Sequence, residues 1–187
     1  MLLDPVPLGD TALRLRVPPG VDRRALLAGL RALPGVLDAW LTEDFAAVRF
    51  DTPPDLGALR LDGVAVAPPR DWEVRARYDG ADLARVAAWA GLAPEEVARL
   101  HAGRVYEVRY LGFSPGFAYL AEVDARIAAP RLAVPRPRVP AGSVGVAGAR
   151  TGVYPREGPG GWNLVATALD PLPPWEPGDR VRFVPCG

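Results

Sequence analysis

The chain has 187 residues, 49% of them hydrophobic, with 22 basic and 22 acidic side chains and no formal net charge; it is long enough for one sizeable core or two small ones, and its charge gives no reason to expect nucleic acid or an anionic membrane as partner. No apolar run nears the roughly 20 residues of a spanning helix, and Asp4 and two prolines stand where a signal peptide needs a basic start, so the cytoplasm is the expected compartment. Every basic residue is arginine and Cys186 is the one cysteine, which excludes a lysine Schiff base, a P-loop, an internal disulfide and a cysteine-rich metal site.

Residues Thr11 to Val17 alternate Leu13, Leu15 and Val17 with Arg14 and Arg16, the period of a half-buried strand. Asp22 is placed to cap a helix with Leu26, Leu27, Leu30 and Leu33 on one stripe, and Pro34-Gly35 ends it. Val36 to Leu41 and Ala46 to Phe50 read as strands joined at Glu43-Asp44. This β-α-β-β order predicts a small ferredoxin-like α+β domain. Asp55 to Leu61 is expected to form a short helix, Gly63 to Ala67 a last strand, and Pro68-Pro69-Arg70 a linker, dividing the chain into domains 1–70 and 71–187.

In the second domain, Trp72 to Tyr78 alternates as a strand with one wet face. Helices are expected over Asp82 to Ala90, stopped by Gly91, and over Pro94 to His101, with proline at its first position and Glu95 and Glu96 in its first turn. Val105 to Leu111, Leu164 to Ala168 and Val181 to Val184 complete the strands, the last entered through a Pro177-Gly178-Asp179 turn. Short strands punctuated by Gly and Pro indicate a β-barrel or sandwich. Between Gly112 and Trp162 these two residues are dense, yet Phe113, Phe117, Tyr119, Val134, Val139, Val144, Val146, Tyr154 and Trp162 interrupt them. This predicts ordered loops and short strands around a concave surface, stiffened by restricted φ.

Several residues in and beside this stretch could carry chemistry. His101, the lone histidine, falls in the last turn of its helix, where the dipole favours the charged form; it is either a capping residue or the chain's one source of imidazole chemistry. A single histidine with scattered carboxylates is not a metal-ligand set. Ser143 lies in Ala-Gly-Ser-Val-Gly, close to a nucleophile elbow but with Ala141 at the first glycine position, and is otherwise a turn serine. The amides of Gly142, Gly145 and Gly148 either hold an anion or form tight turns between strands. Arg131, Arg136 and Arg138, set between prolines, either bind carboxylate or phosphate or form a solvated basic face. Phe113, Phe117, Tyr119 and Trp162 are core or pocket wall.

The run His101, Tyr106-Glu107-Val108, Gly-Phe-Ser-Pro-Gly-Phe-Ala-Tyr-Leu from Gly112 to Leu120, Pro130 to Gly145, Thr151 to Pro155 and Pro159 to Trp162 resembles the motif series of the 5-oxoprolinase B-subunit family, also known as KipI or allophanate hydrolase subunit 1. The chain departs from that pattern with Ala121-Glu122 in place of a glycine pair, Arg150 in place of glutamine, and Gly158 in place of serine or threonine. The resemblance implies an α+β domain followed by a cyclophilin-like β-barrel. It also implies an ATP-dependent enzyme that opens 5-oxoproline to glutamate together with a KipA-like C component, separate or fused in one chain, and a separate A component. ATP is then expected to be bound mainly by or with the C component. By motif position the expected catalytic residues are His101, Arg136 and Arg138, the expected substrate contacts are Phe113, Pro115, Ser143, Thr151 and Trp162, and a phosphate-binding loop is expected at Gly142, Gly145 and Gly148. The alternative that the resemblance carries is a KipI-type regulator that inhibits a sensor histidine kinase.

Overall fold

Strand and helix signals of the first fifty residues are realised almost residue for residue in a computed structural model, which describes residues 5–56 and 68–187. Strands β1 (Val6–Pro7) and β2 (Ala12–Arg16) precede helix α1 (Arg23–Arg31), followed by β3 (Val36–Leu41) and β4 (Phe45–Phe50). The Asp22 carboxylate accepts the amides of Arg24 and Ala25, satisfying two of the free N–H groups of the first turn of α1. The antiparallel sheet runs in the order β1-β2-β4-β3. Thus β4 lies between the two strands that α1 connects, the split β-α-β arrangement that the element order predicted. Leu13 and Leu15 of β2, Leu26, Leu27 and Leu30 of α1, and Val48 and Phe50 of β4 close the core between helix and sheet. The helix and strand expected over 55–61 and 63–67 lie, beyond Leu56, outside the described residues.

The remaining elements are β5 (Asp71–Arg77), α2 (Leu83–Ala90), α3 (Pro94–Ala102), β6 (Val105–Leu111), β7 (Ala118–Ala121), a 3-10 turn (Ala125–Ile127), β8 (Arg136–Val139), β9 (Ser143–Ala147), β10 (Arg150–Val153), β11 (Gly158–Gly160), β12 (Asn163–Ala168) and β13 (Arg180–Pro185). Contacts group the chain to Pro69 with Arg109–Leu111 and Glu176–Gly178 as one unit, and Arg70–Val108, Gly112–Trp175 and Asp179–Gly187 as the other.

Seven strands of the second unit form a closed barrel in the order β10-β7-β6-β13-β5-β12-β9, and β8 and β11 pair separately. Strand β13 runs parallel to β5 from Arg180 opposite Asp71 to Pro185 opposite Ala76, and antiparallel to β6. The wet face expected of β5 carries Asp71–Arg180 and Glu73–Arg182 ion pairs. Its dry face sends Val74 and Ala76 into a core shared with Val86, Val97, Tyr106, Val108, Val144, Val146, Val165 and Phe183. Burying each large side chain there contributes about 1.5–3 kcal/mol. At the barrel's entry turn the fully buried Asp179 carboxylate accepts the Arg70 guanidinium at 2.9 Å and the Trp72 indole N–H at 3.0 Å. Among the described residues, no helix is long and apolar enough to cross a membrane.

Candidate functional site

Strand alternation decides the layout of this region. Along β9, Val144 and Val146 point into the barrel core while Gly145 and Ala147 face the other way; along β10, Thr151 and Val153 point inward and Gly152 outward. The two faces of this one ladder hold different chemistry.

On the inner face, α3 delivers His101 to a position with no solvent exposure. Its Nδ1 lies 2.8 Å from the Tyr78 hydroxyl and its Nε2 2.8 Å from Thr151 Oγ1. Thr151 donates its own proton to the Gly145 carbonyl at 2.9 Å, so it can only accept from the imidazole. This places the proton on Nε2 and leaves Nδ1 to accept from Tyr78. The rings of Tyr106 and Phe183 pack against the imidazole, with centroids 5.3 and 4.7 Å away, and the Tyr106 hydroxyl donates to the His101 carbonyl at 2.7 Å. Burial pushes the imidazole down to about 3 and the phenols of Tyr78 and Tyr106 well above their ordinary value. The charged form expected from the helix dipole is therefore corrected: loss of solvent outweighs a dipole effect of about 1 kcal/mol. His101 is a neutral bridge that joins α3 to β10.

The outer face carries a cluster of aromatic rings. Phe117, almost fully buried, sits at its centre, with Phe113, Tyr119, Tyr154 and Trp162 meeting it edge to face at centroid distances of 5.0–5.4 Å. Such pairs add about 0.5–1.5 kcal/mol each beyond area burial. Gly145 and Gly152 are register partners across β9 and β10. A Cβ on the first would lie 3.0 Å from the Trp162 Cβ, and one on the second 2.7 Å from the Ala118 carbonyl and 3.0 Å from the Phe117 ring, so only glycine lets the cluster approach the ladder. Phe113 is 59% exposed, held at φ 67° in the loop before β7. That conformation is uncommon for any residue but glycine and costs about 1–3 kcal/mol. Phe113, Phe117, Tyr119, Arg131, Tyr154, Gly160, Gly161 and Trp162 line a cavity of about 70 Å³. Arg131 lies over the Trp162 ring with its guanidinium carbon 5.9 Å from the centroid.

The residues expected to act together are thus separated. His101 and Thr151 meet inside the barrel, while Phe113 and Trp162 meet in the outer cavity; Pro115 is exposed on the same loop as Phe113. Ser143 shares the outward parity of Gly145, and both ring nitrogens of His101 are engaged elsewhere. This removes a Ser143–His101 nucleophilic pair. The phosphate loop expected at Gly142, Gly145 and Gly148 is likewise corrected. The amides of Gly142 and Gly148 donate to the carbonyls of Tyr154 and Ala129 at 2.7 and 2.8 Å, and Gly145 sits mid-strand in β9, which is paired on both edges. Those donors close turns and ladders and do not converge on a ligand.

Arg136 donates to the buried Asp82 carboxylate at 2.7 Å, while the other Asp82 oxygen accepts the Leu164 amide at 2.8 Å. Arg138 is 77% exposed and pairs with Glu157 at 3.1 Å. Neither lines the cavity. Sequence reasoning did not single out Tyr154 or the glycines of 160–161 as cavity walls; the Tyr-Pro after Thr151 and the glycine pair before Trp162 were the available signals. Among the described residues, no group of three His, Cys, Asp or Glu side chains is placed to hold a metal ion.

A split α+β unit, a seven-stranded barrel and an aromatic cavity on the barrel's outer ladder are the features to set beside known proteins. Residues 6–182 match the carboxyltransferase domain, subdomains C and D, and the chain belongs to that family. It is 48% identical over 124 residues to the 5-oxoprolinase B subunit of Escherichia coli O157:H7, covering 60% of this chain and 57% of the relative. To the 5-oxoprolinase B subunit of Bacillus subtilis strain 168 it is 50% identical over 113 residues, 56% of this chain and 47% of the relative. The chain spans about half the length of these curated relatives. The crystal structure of TTHA0988 superposes with a TM-score of 0.80 at 39% identity, over 94% of this chain and 40% of that one. The urea amidolyase of Kluyveromyces lactis, 14% identical, shares the fold at a TM-score of 0.68 over 97% of this chain and 15% of its own. The family resemblance and the barrel-containing α+β class drawn from the sequence are borne out.

Proposed function

We propose that this chain forms part of the B component of an ATP-dependent 5-oxoprolinase, acting with the C and A components in the cytoplasm to convert 5-oxoproline to L-glutamate. The observation that carries the reading is the 48–50% identity to curated 5-oxoprolinase B subunits. The aromatic cavity adds a surface to it: at about 70 Å³ it does not enclose a lactam, and the exposed Phe113 ring at its mouth is where a flat five-membered ring can rest. In the reaction the lactam oxygen takes the γ-phosphoryl group of ATP and ADP leaves. Water then adds to the activated carbon and the C–N bond breaks, leaving γ-glutamyl phosphate, and a second water cleaves that acyl phosphate to give glutamate and phosphate.

The part assigned to this chain is recognition and orientation of the lactam by Phe113, Trp162 and the loop that carries Pro115; ATP is held mainly by or with the C component. Sealed on the inner face, His101 and Thr151 fix β10 from behind and so position the cavity wall. Ser143 backs the same ladder from its outward face. Mixing this chain with candidate C and A components and measuring 5-oxoproline-stimulated ATP hydrolysis tests the proposal. Stimulation that disappears when this chain alone is omitted supports it. Equal stimulation with and without the chain, or none with well-folded and associated partners, sinks it.

A further inference from the structure

Three arginines from the proline-rich stretch before β9 were candidates for binding an anion, and their partners now separate them. Arg136 neutralises Asp82, whose second oxygen holds the amide of Leu164; its guanidinium is part of the scaffold that fixes β12. Arg138 pairs with Glu157 and does not line the cavity. Arg131 lines the cavity, lies over Trp162, and pairs with no carboxylate among the described residues.

The backbone around Arg131 is pinned on both sides. The Pro130 carbonyl accepts Asn163 Nδ2 at 2.9 Å, and the Leu132 amide donates to the Gly161 carbonyl at 2.8 Å. The two partners flank Trp162, so Arg131 is held opposite that ring by a bond on either side. Asn163 is itself fully buried and also donates to the Val146 carbonyl at 3.1 Å. A guanidinium resting on an indole keeps its N–H edge open, and holding its base rigid lowers the entropy lost when it binds.

We propose that Arg131 is the carboxylate-recognising residue at the mouth of the aromatic cavity, which takes a small ring bearing a carboxylate, with the body of the ring against the exposed Phe113. A guanidinium edge matches a carboxylate through two parallel N–H···O bonds, and the neighbouring rings accept the flat body of the ligand. This rests on the 5-oxoprolinase reading and names the group that would read the substrate's charge. It also reassigns that task from Arg136 and Arg138.

Isothermal titration of the full chain with L-5-oxoproline, with 2-pyrrolidinone, which is the same ring without the carboxylate, and with benzoate tests it. Arg131→Ala is expected to weaken 5-oxoproline by about ten- to hundredfold, the size of a lost charge-assisted hydrogen bond, with pyrrolidinone affinity unchanged. Arg131→Lys is expected to recover only part of the loss, because an ammonium lacks the planar fork. Unchanged 5-oxoproline affinity in Arg131→Ala overturns the proposal, as does an equal loss for the lactam with and without its carboxylate. Binding of benzoate but not 5-oxoproline, abolished by Arg131→Ala, sustains the carboxylate site and removes the 5-oxoprolinase reading. No binding of any probe by a folded wild-type chain overturns the site.

Discussion

The two faces of the β9–β10 ladder use similar side chains to opposite ends. Inside, His101, Tyr78 and Thr151 form a closed set in which each ring nitrogen has one partner and the Thr151 proton has another. Outside, Phe113 stands 59% exposed in a left-handed conformation, and Arg131 has a ring beneath it and, among the described residues, no carboxylate beside it. Polar groups that are buried and fully paired hold a fold together, whereas exposed apolar surface beside a cation without a counter-charge is what a ligand can exploit. Residue type does not distinguish the two faces; the partners do.

If the inner face is structural, its disruption should give the largest stability change. Replacing His101 with Ala leaves a cavity and strips the Tyr78 hydroxyl and Thr151 Oγ1 of a partner, so about 3–5 kcal/mol should be lost in denaturant unfolding. A loss below about 1 kcal/mol would show that the inner set is not holding the barrel. The next largest effect is a pH dependence. The unfolded imidazole takes up a proton near 6.5, whereas the folded one stays neutral down to about 3. The unfolded state therefore binds more protons across this window, and stability falls as pH drops through it, by up to about 1.4 kcal/mol per unit from this residue. Unfolding measured at pH 6.5, 5.5 and 4.5 should show that slope, and His101→Asn should flatten it.

Gly152→Ala tests how tightly the outer cluster is set against the ladder. Its new methyl group would press on the Ala118 carbonyl and the Phe117 ring, for an expected cost of about 1–3 kcal/mol in thermal or denaturant unfolding. The smallest stability change should come from Phe113→Ala, about 0.5–1 kcal/mol, because the side chain is largely in water and loses little beyond its edge-to-face contact with Phe117. That same change should nevertheless reduce 5-oxoproline-stimulated ATP hydrolysis in the reconstituted complex severalfold. Stability and activity effects in the reverse order for His101 and Phe113 would exchange the roles assigned to the two faces.

Elements with a clean period were legible from the residues alone: β2, β3, β5 and α3 fall within a residue of their expected limits, and α1 ends two residues before Leu33. Strands β7 to β11 were foreseen only as short strands within ordered loops. Gly and Pro dominate there, and three- to five-residue strands are too short to display alternation. For the candidate site, Phe113 and Trp162 were singled out by motif position, and the structure brings both to one cavity. The role of His101 was misjudged because spacing locates a residue on its helix but does not reveal what packs against it. Arg131 could not be told from Arg136 because the difference is Asp82, 54 positions before Arg136 in the chain and adjacent only after folding.

The parallel pairing of β5 with β13 sets an order on biosynthesis. Partners along this seam are 109 positions apart, and β13 fills the gap between β5 and β6. While a ribosome is still making residues 71–179, the nascent barrel has an open side, with Val74 and Ala76 lacking Val181 and Phe183 as neighbours. Closure over so long a loop is entropically slow. Until Arg180–Pro185 emerges, the growing polypeptide presents two unpaired strand edges, and in that interval it is most exposed to chaperones and to mispairing with other chains.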